Sequence, residues 1–421
     1  MLDLDFDGHN TLYATHGLHS YAAKCPPQLV RYGIENYSSP GETILDPMAG
    51  SGTTVVEARL HGRNAIGYDV DALACLIAKV KARIIDDNPI DNAADLVLKY
   101  ARNDIDALKK GKASQEILAR ATPPNFHNID YWFSPEVKQA LAVLLYHIDQ
   151  TRMSQDVREF LWVAFSAIIL TKVSVANARD IIHSRHHFYE HKIVPDVIEK
   201  FELRVKKMRR QMDEYRQLCT QKPPTSIIVE KGDARQLHLE NESLDLVFTS
   251  PPYATALDYP RAHFLAVAWL QQALGTTLEE YKSGGQTYIG SERGSIQETT
   301  ILDEQISDIR LARSTVEKIG EIDPKKAKII QRYFNDMYLA LKEIYRVLKP
   351  NRTAVIVICP SHIRKIEVPT QRVFTEMGNS IGLRLTNEIT RTINKKRRVL
   401  PYLQKAFGDR MNTEYVLIYQ K

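Results

Sequence analysis

The run Thr249-Ser250-Pro251-Pro252-Tyr253 has the residue types to hold an amine against a flat ring. It follows an apolar stretch, Leu244, Leu246, Val247 and Phe248, so it begins where a buried strand ends. Two adjacent prolines cannot extend a strand ladder, because neither has an N–H to donate. They stiffen a loop whose carbonyl oxygens remain as acceptors. Ser250 stands before them with a hydroxyl and Tyr253 after them with an aromatic face. Such a corner can accept hydrogen bonds from an exocyclic amino group while the tyrosine stacks on the ring that carries it.

A second run, residues 43–54, reads Thr-Ile-Leu-Asp-Pro-Met-Ala-Gly-Ser-Gly-Thr-Thr. A short apolar strand enters a glycine turn, and a helix follows from Thr53. Gly50 and Gly52 allow the sharp turn and the close approach of a ligand. The helix start offers N–H groups to an anionic group. The lysine of a phosphate loop is absent, and the third glycine of a dinucleotide fingerprint would fall at Val55. Both observations disfavour a nucleotide-triphosphate or dinucleotide site.

These runs resemble two motifs of the DNA amino-methyltransferases. Asp46-Pro47-Met48-Ala49-Gly50-Ser51-Gly52-Thr53-Thr54 is similar to their S-adenosylmethionine motif, and Ser250-Pro251-Pro252-Tyr253 to their catalytic motif in its cytosine-N4 form. The segment from His16 to Pro27, with Lys24 inside it, resembles the N-terminal cofactor motif, departing from it at Ser20, Ala22 and Cys25. The resemblance implies S-adenosylmethionine as methyl donor and duplex DNA as partner. It implies cofactor contacts from Lys24, Asp46, Pro47, Gly50, Gly52, Thr53, Asp69, Asp233 and Ser250, and catalysis by Ser250, Pro251, Pro252 and Tyr253. Asp46 would face the methionine amino group. Asp69, at the end of a strand, would accept from the ribose hydroxyls; it could instead cap the next helix, although Asp71 suits that role better. Asp233 would accept from the adenine amino group or be an ordinary turn aspartate. Thr53 and Thr54 are cofactor contacts or plain helix-start residues.

The implied reaction needs no covalent nucleophile. Ser250 and the Pro251 carbonyl would accept from the amine and free its lone pair, and alignment would supply much of the acceleration. Tyr253 would stack on a base extracted from the duplex. Methylation at cytosine C5 needs a thiolate that usually follows a proline, and no cysteine here does. Adenine N6 stays open beside cytosine N4. So do an RNA methyltransferase of the same fold and a non-catalytic scaffold.

These residues need a frame. Strands are expected at residues 44–46, 65–69, 227–230, 244–248 and 353–358, alternating with helices at 53–60, 72–82, 264–274 and 327–347. Alternation of this kind implies an α/β fold with a doubly wound, Rossmann-like sheet and a ligand at the strands' C-terminal ends. Two last strands, at 384–392 and 414–419, would pair antiparallel at the sheet edge. Residues 86–224 read instead as helices, with apolar residues at three- and four-residue spacing. The chain is therefore expected to hold a catalytic core, residues 1–85 and 225–421, and a helical insertion, 86–224, able to serve in target recognition.

Composition sets outer limits. With 421 residues and a formal charge of +5, the chain can bury a large core and is basic enough to meet nucleic acid. Four scattered cysteines suit a reducing cytosol and supply no zinc or disulfide frame. No apolar run is long enough to span a bilayer. The histidines of the insertion lack partners at metal-binding spacing, so no metal is expected. Candidate phosphate contacts are Arg185, His187, Lys206 and Arg210 in the insertion, Arg261 after the proline corner, and Lys396 and Arg397 near the end. A companion nuclease would be a separate protein, since no nuclease motif is present.

Overall fold

The computed structural model describes residues 4–6, 8–21, 23–174, 195–254, 258–291, 306, 308–393 and 413–421. Five strands form a parallel array: β1 (Thr43–Asp46), β2 (Asn64–Asp69), β3 (Ile227–Lys231), β4 (Leu244–Thr249) and β5 (Leu348–Ile358). A short hairpin, β6 (Ser361–Ile363) and β7 (Ile366–Val368), stands apart. The edge strands β8 (Arg384–Thr392) and β9 (Thr413–Gln420) run antiparallel, giving the order β3-β2-β1-β4-β5-β9-β8. The sheet thus reverses its winding between β1 and β4, where a doubly wound sheet opens a crevice.

Both sheet faces are covered, and side chains alternate between them as strand geometry requires. Ile44, Leu246, Phe248, Val355 and Val357 join one core; Leu45, Val247, Ala354, Ile356 and Ile358 join the other. On the first face lie α1 (Pro27–Tyr37), α2 (Thr53–Leu60) and α3 (Ala72–Ala82). The insertion packs onto these helices: α4 (Asp87–Lys109), α5 (Gln115–Arg120), α6 (Ile129–Trp132), α7 (Pro135–Gln150), α8 (Gln155–Ile168) and α9 (Val197–Cys219). Phe160, Phe201 and Met212 of the insertion share a continuous apolar cluster with Val56 and Ile77. After β4 come α10 (Tyr259–Trp269) and α11 (Leu278–Ser283). The second face carries α12 (Arg310–Gly320), α13 (Pro324–Val347) and α14 (Thr370–Ile381).

Local chemistry explains the boundaries. Asp71 caps α3 by accepting from the N–H groups of Leu73 and Ala74, as its position just ahead of the helix foretold. Ser134, Ser154 and Asp196 cap α7, α8 and α9 in the same way. Asp258 caps α10 and Pro260 sits in its first turn, so this helix starts five residues before the expected Phe264. Helix α8 passes into a π-turn at Ile169–Val173. Sequence reasoning gave no account of α1, α14 or the β6–β7 hairpin.

Candidate active site

The C-terminal ends of β1, β2 and β4 bring Asp46, Asp69 and Thr249 together. A cleft of about 870 Å³, open mouth included, lies above them. Lys24, Asp46, Pro47, Gly50 and Thr53 line it from the N-terminal side of the sequence. Asp69, Asp233, Ser250 and Pro252 line it from later segments, so the proline corner and the glycine turn face one space.

Asp46 is fixed on three sides. Its carboxylate accepts from the hydroxyls of Thr54 at 2.6 Å and Thr249 at 2.8 Å, and from the N–H of Met48 at 3.2 Å. Burial nonetheless pushes its carboxyl up to about 6. Thr54 is therefore more than a helix-start residue, since it orients the carboxylate at the end of β1. Asp69 accepts from the N–H groups of Gly50 at 2.8 Å and Asp71 at 2.9 Å. Burial first, and then the neighbouring Asp71, raise its carboxyl to about 7. Asp71 itself is held low despite burial, chiefly by the His263 ring that lies 2.9 Å from it.

Inside the glycine turn several N–H groups have partners within the protein. The N–H of Ala49 donates to Tyr68, that of Gly50 to Asp69 and that of Gly52 to Ala49. Three of its donors are thus engaged inside the protein, beside two buried carboxyls. In their ionised forms these carboxylates disfavour a phosphate beside them and attract a cation. Gly52 departs from expectation. It is not among the residues lining the cleft, and a Cβ there would lie 2.7 Å from the Ala78 Cβ. With φ at +78° it makes the left-handed entry to α2 and lets α2 pack on α3. Its requirement is steric rather than one of ligand contact.

Asp233 lies two residues beyond β3, and both its carboxylate oxygens accept from the Arg235 guanidinium, the shortest at 2.6 Å. Arg235 in turn reaches Asp336 at 2.8 Å. Asp233 lines the cleft, but as an ion-paired turn aspartate whose carboxyl Arg235 holds low.

Four further contacts support the site. Lys81 is fully buried on α3 and donates to the carbonyl of Ser51 at 2.6 Å, clamping the glycine turn. Tyr21 and Tyr259 stack at 6.2 Å between centroids and form an aromatic wall of the cleft. Tyr333 of α13 donates its hydroxyl to the carbonyl of Pro252 at 3.1 Å. Glu414 on β9 accepts from the Tyr253 hydroxyl at 2.7 Å and from Arg391 on β8 at 2.8 Å. Tyr21 falls within the N-terminal motif and could have been noticed there. A lysine inside an apolar helix reads as a surface residue, and Tyr333 and Glu414 are brought in from distant elements. Pro251 is buried, whereas Ser250 and Tyr253 are half-buried.

The candidate phosphate contacts are dispersed. Lys206 is paired with Glu202 at 2.6 Å, and Arg210 donates to the Lys206 carbonyl at 3.4 Å. Their neighbour Arg209 is paired with Asp87 and Asp91 of α4. Arg261 is exposed at the start of α10. Arg185, His187, Lys396 and Arg397 lie outside the described residues. Among the described residues no cluster of His, Cys, Asp and Glu could hold a metal ion, and no helix is long and apolar enough to cross a membrane.

A family model described as DNA methylase matches residues 7–80 and 244–421, leaving out the whole insertion and β3. The chain is 26% identical over 414 residues to the Type II methyltransferase M.MvaI of Kocuria varians, covering 94% of this chain and 87% of that one. It is 22% identical to the Type II methyltransferase M.BsoBI of Geobacillus stearothermophilus, covering 89% and 80%. A TehB-like SAM-dependent methyltransferase from Corynebacterium glutamicum superposes with a TM-score of 0.29 at 10% identity, over 93% of this chain and 86% of that one.

Proposed function

Because this chain belongs to the DNA methylase family, we propose that it methylates the exocyclic amino group of a base flipped out of duplex DNA, at cytosine N4. The methyl donor of the family is S-adenosylmethionine, and the cleft fits it. That cofactor carries a cationic sulfur and no phosphate, and the cleft presents carboxylates beside a turn with three of its amides already engaged. When bound, it supplies a methyl group made electrophilic by the positive charge on sulfur.

The observation that carries the reading is that Ser250 lines the same cleft as Asp46 and Asp69. Asp46, oriented by Thr54 and Thr249, is suited to accept from an ammonium group. Asp69 keeps acceptor capacity for a diol, and Lys24, Pro47 and Gly50 border the same space. Ser250 and the Pro251 carbonyl accept from the base's amino group. The Pro252 carbonyl already accepts from Tyr333, which favours Pro251 for that role. Tyr253, its hydroxyl anchored on Glu414, stacks its ring on the extruded base, offsetting part of the few kcal/mol that extrusion costs. Thr53 borders the cleft, while Asp233 serves it through Arg235 rather than as a free acceptor.

Cytosine N4 rather than adenine N6 is supported by Ser250, since adenine enzymes of this resemblance more often carry Asp or Asn there. The insertion, residues 86–224, is proposed as a target-recognition region. A companion nuclease rests on the Type II designation of the relatives alone. A transfer assay with labelled cofactor, offering duplex DNA and total RNA side by side, tests the reading. Label in DNA as N4-methylcytosine is the expected result. Label in adenine corrects the base, label in RNA corrects the substrate, and no label in either favours a scaffold.

A further inference from the structure

We propose that the α12–α13 hairpin and the β6–β7 turn form the surface that grips the DNA backbone beside the site; this rests on the reading of duplex DNA as substrate. Residues 310–332 and 361–368 hold nine Lys and Arg against four Asp and Glu, a net +5 that equals the charge of the whole chain. The other candidate face, on α9, is neutralised in part, with Lys207 and Arg210 exposed and without an ion pair among the described residues. There Lys206 and Arg209 are already neutralised by carboxylates of α9 and α4. Lys325, Lys328 and Lys365 are exposed and have no ion pair among the described residues.

Position links this charge to the chemistry. Helix α13 leads directly into β5, so its C-terminal end lies at the bottom of the sheet and its N-terminal half rises past the strands' C-terminal ends. Tyr333 meets the Pro252 carbonyl at that level, and Arg332 donates to the Ser291 carbonyl next to the cleft-lining loop. The turns from Pro324 to Tyr333 therefore project roughly 13 Å beyond the proline corner, at 1.5 Å per residue. The β6–β7 hairpin leaves the same end of β5, and Arg364 ties it to Asp323, the cap of α13, at 3.0 Å.

The hairpin turn itself is unusual. Ile363 pairs with Ile366, leaving Arg364 and Lys365 as a two-residue turn with φ of +51° and +68°. Turns of this shape favour Asn and Gly, because a side chain is strained at positive φ. Here two long cations occupy it instead, both exposed. A surface of outward cations above the base-binding corner is complementary to duplex phosphates.

The test compares two triple variants of the full chain. One carries Lys325→Gln, Lys328→Gln and Lys365→Gln; the other carries Lys206→Gln, Lys207→Gln and Arg210→Gln on α9. Affinity for a duplex containing a methylated site is measured by fluorescence anisotropy across a salt series, with cofactor affinity measured alongside by calorimetry. Every phosphate that a variant no longer neutralises should flatten the log–log salt slope by about 0.9, so the first variant should flatten it by roughly 2 to 3. The α9 variant should flatten it less, and both should bind cofactor as the parent does. An unchanged slope in the first variant overturns this surface and leaves the methyltransfer reading intact. A parent protein that binds cofactor yet neither binds nor methylates duplex DNA overturns the reading beneath it. A slope that responds only with RNA overturns the assigned partner.

Discussion

Tyr333 donates its hydroxyl to the carbonyl of Pro252, 81 residues away in sequence, at 3.1 Å. The bond joins α13, on one face of the sheet, to the corner at the end of β4. It also leaves the neighbouring Pro251 carbonyl as the one proposed for the substrate amine. Tyr333→Phe should keep the packing and lose one hydrogen bond, at a stability cost of about 1 kcal/mol. Methyl transfer at saturating substrates should fall by about tenfold, while calorimetry should find cofactor affinity unchanged.

Tyr253 and Glu414 separate stacking from anchoring. Tyr253→Ala removes the ring and should lower turnover on duplex DNA by roughly 100-fold, with cofactor binding little altered. Tyr253→Phe keeps the ring and loses only the anchor, so its loss should be nearer tenfold. Glu414→Ala should instead be a stability variant. It strands Arg391, which is buried, and such losses cost about 3 to 5 kcal/mol. Denaturant titration distinguishes this from a catalytic defect.

Lys81 sits in the core without a carboxylate within ion-pair distance among the described residues, and burial drives its ammonium well below the ordinary lysine range. Lys81→Met should leave stability within about 1 kcal/mol or raise it, because a desolvated charge is replaced by a hydrophobe of similar volume. It also releases the Ser51 carbonyl, so cofactor affinity should fall about tenfold. Equal effects on stability and affinity would contradict the clamp.

The two cleft carboxyls give opposite signs for folding and binding. Asp46 and Asp69 are raised from 3.8 to about 6 and about 7, so between these values the folded chain holds protons that the unfolded chain has released. Their contribution to stability is complete below the unfolded value and is lost as pH rises through 6 and 7. The cofactor-free protein should therefore lose stability from about pH 4 to about pH 7, and Asp69→Asn should flatten that fall in thermal melts. Cofactor affinity should rise over the same range, because acceptance from ribose hydroxyls and attraction to a cation favour the ionised forms.

Gly52→Ala tests packing rather than ligand contact. The added Cβ would meet Ala78 at 2.7 Å in a left-handed backbone. A destabilisation of about 2 to 4 kcal/mol is expected, with cofactor affinity near that of the parent once the variant is folded at low temperature.

The frame was legible because strands and helices advertise themselves locally. Thr53–Leu60 and Ala72–Ala82 match the expected helices residue for residue, and the edge pair β8–β9 lies where its β-branched residues indicated. Helix α1 is hard to see in sequence although Pro26 precedes it and Pro27 opens it, because prolines beside a cofactor-like motif read as part of that motif. Asp233 was legible as a cleft residue, but its ion pair was not. Arg235 stands two residues away, yet only its geometry and the approach of Asp336 from α13 fix the carboxylate.

Sequence by itself determined which residues are proposed to meet a ligand: a proline corner with a serine and a tyrosine, a glycine turn, and acidic strand ends. Their types and order suffice because each follows its own strand, and a parallel sheet carries strand ends to one rim. Tertiary structure alone decided what holds them, since Lys81, Tyr333 and Glu414 act across gaps of 30, 81 and 161 residues. It also decided that Arg209 is neutralised, because its pairing with Asp87 and Asp91 depends on where α4 packs on α9, a meeting that no single segment encodes.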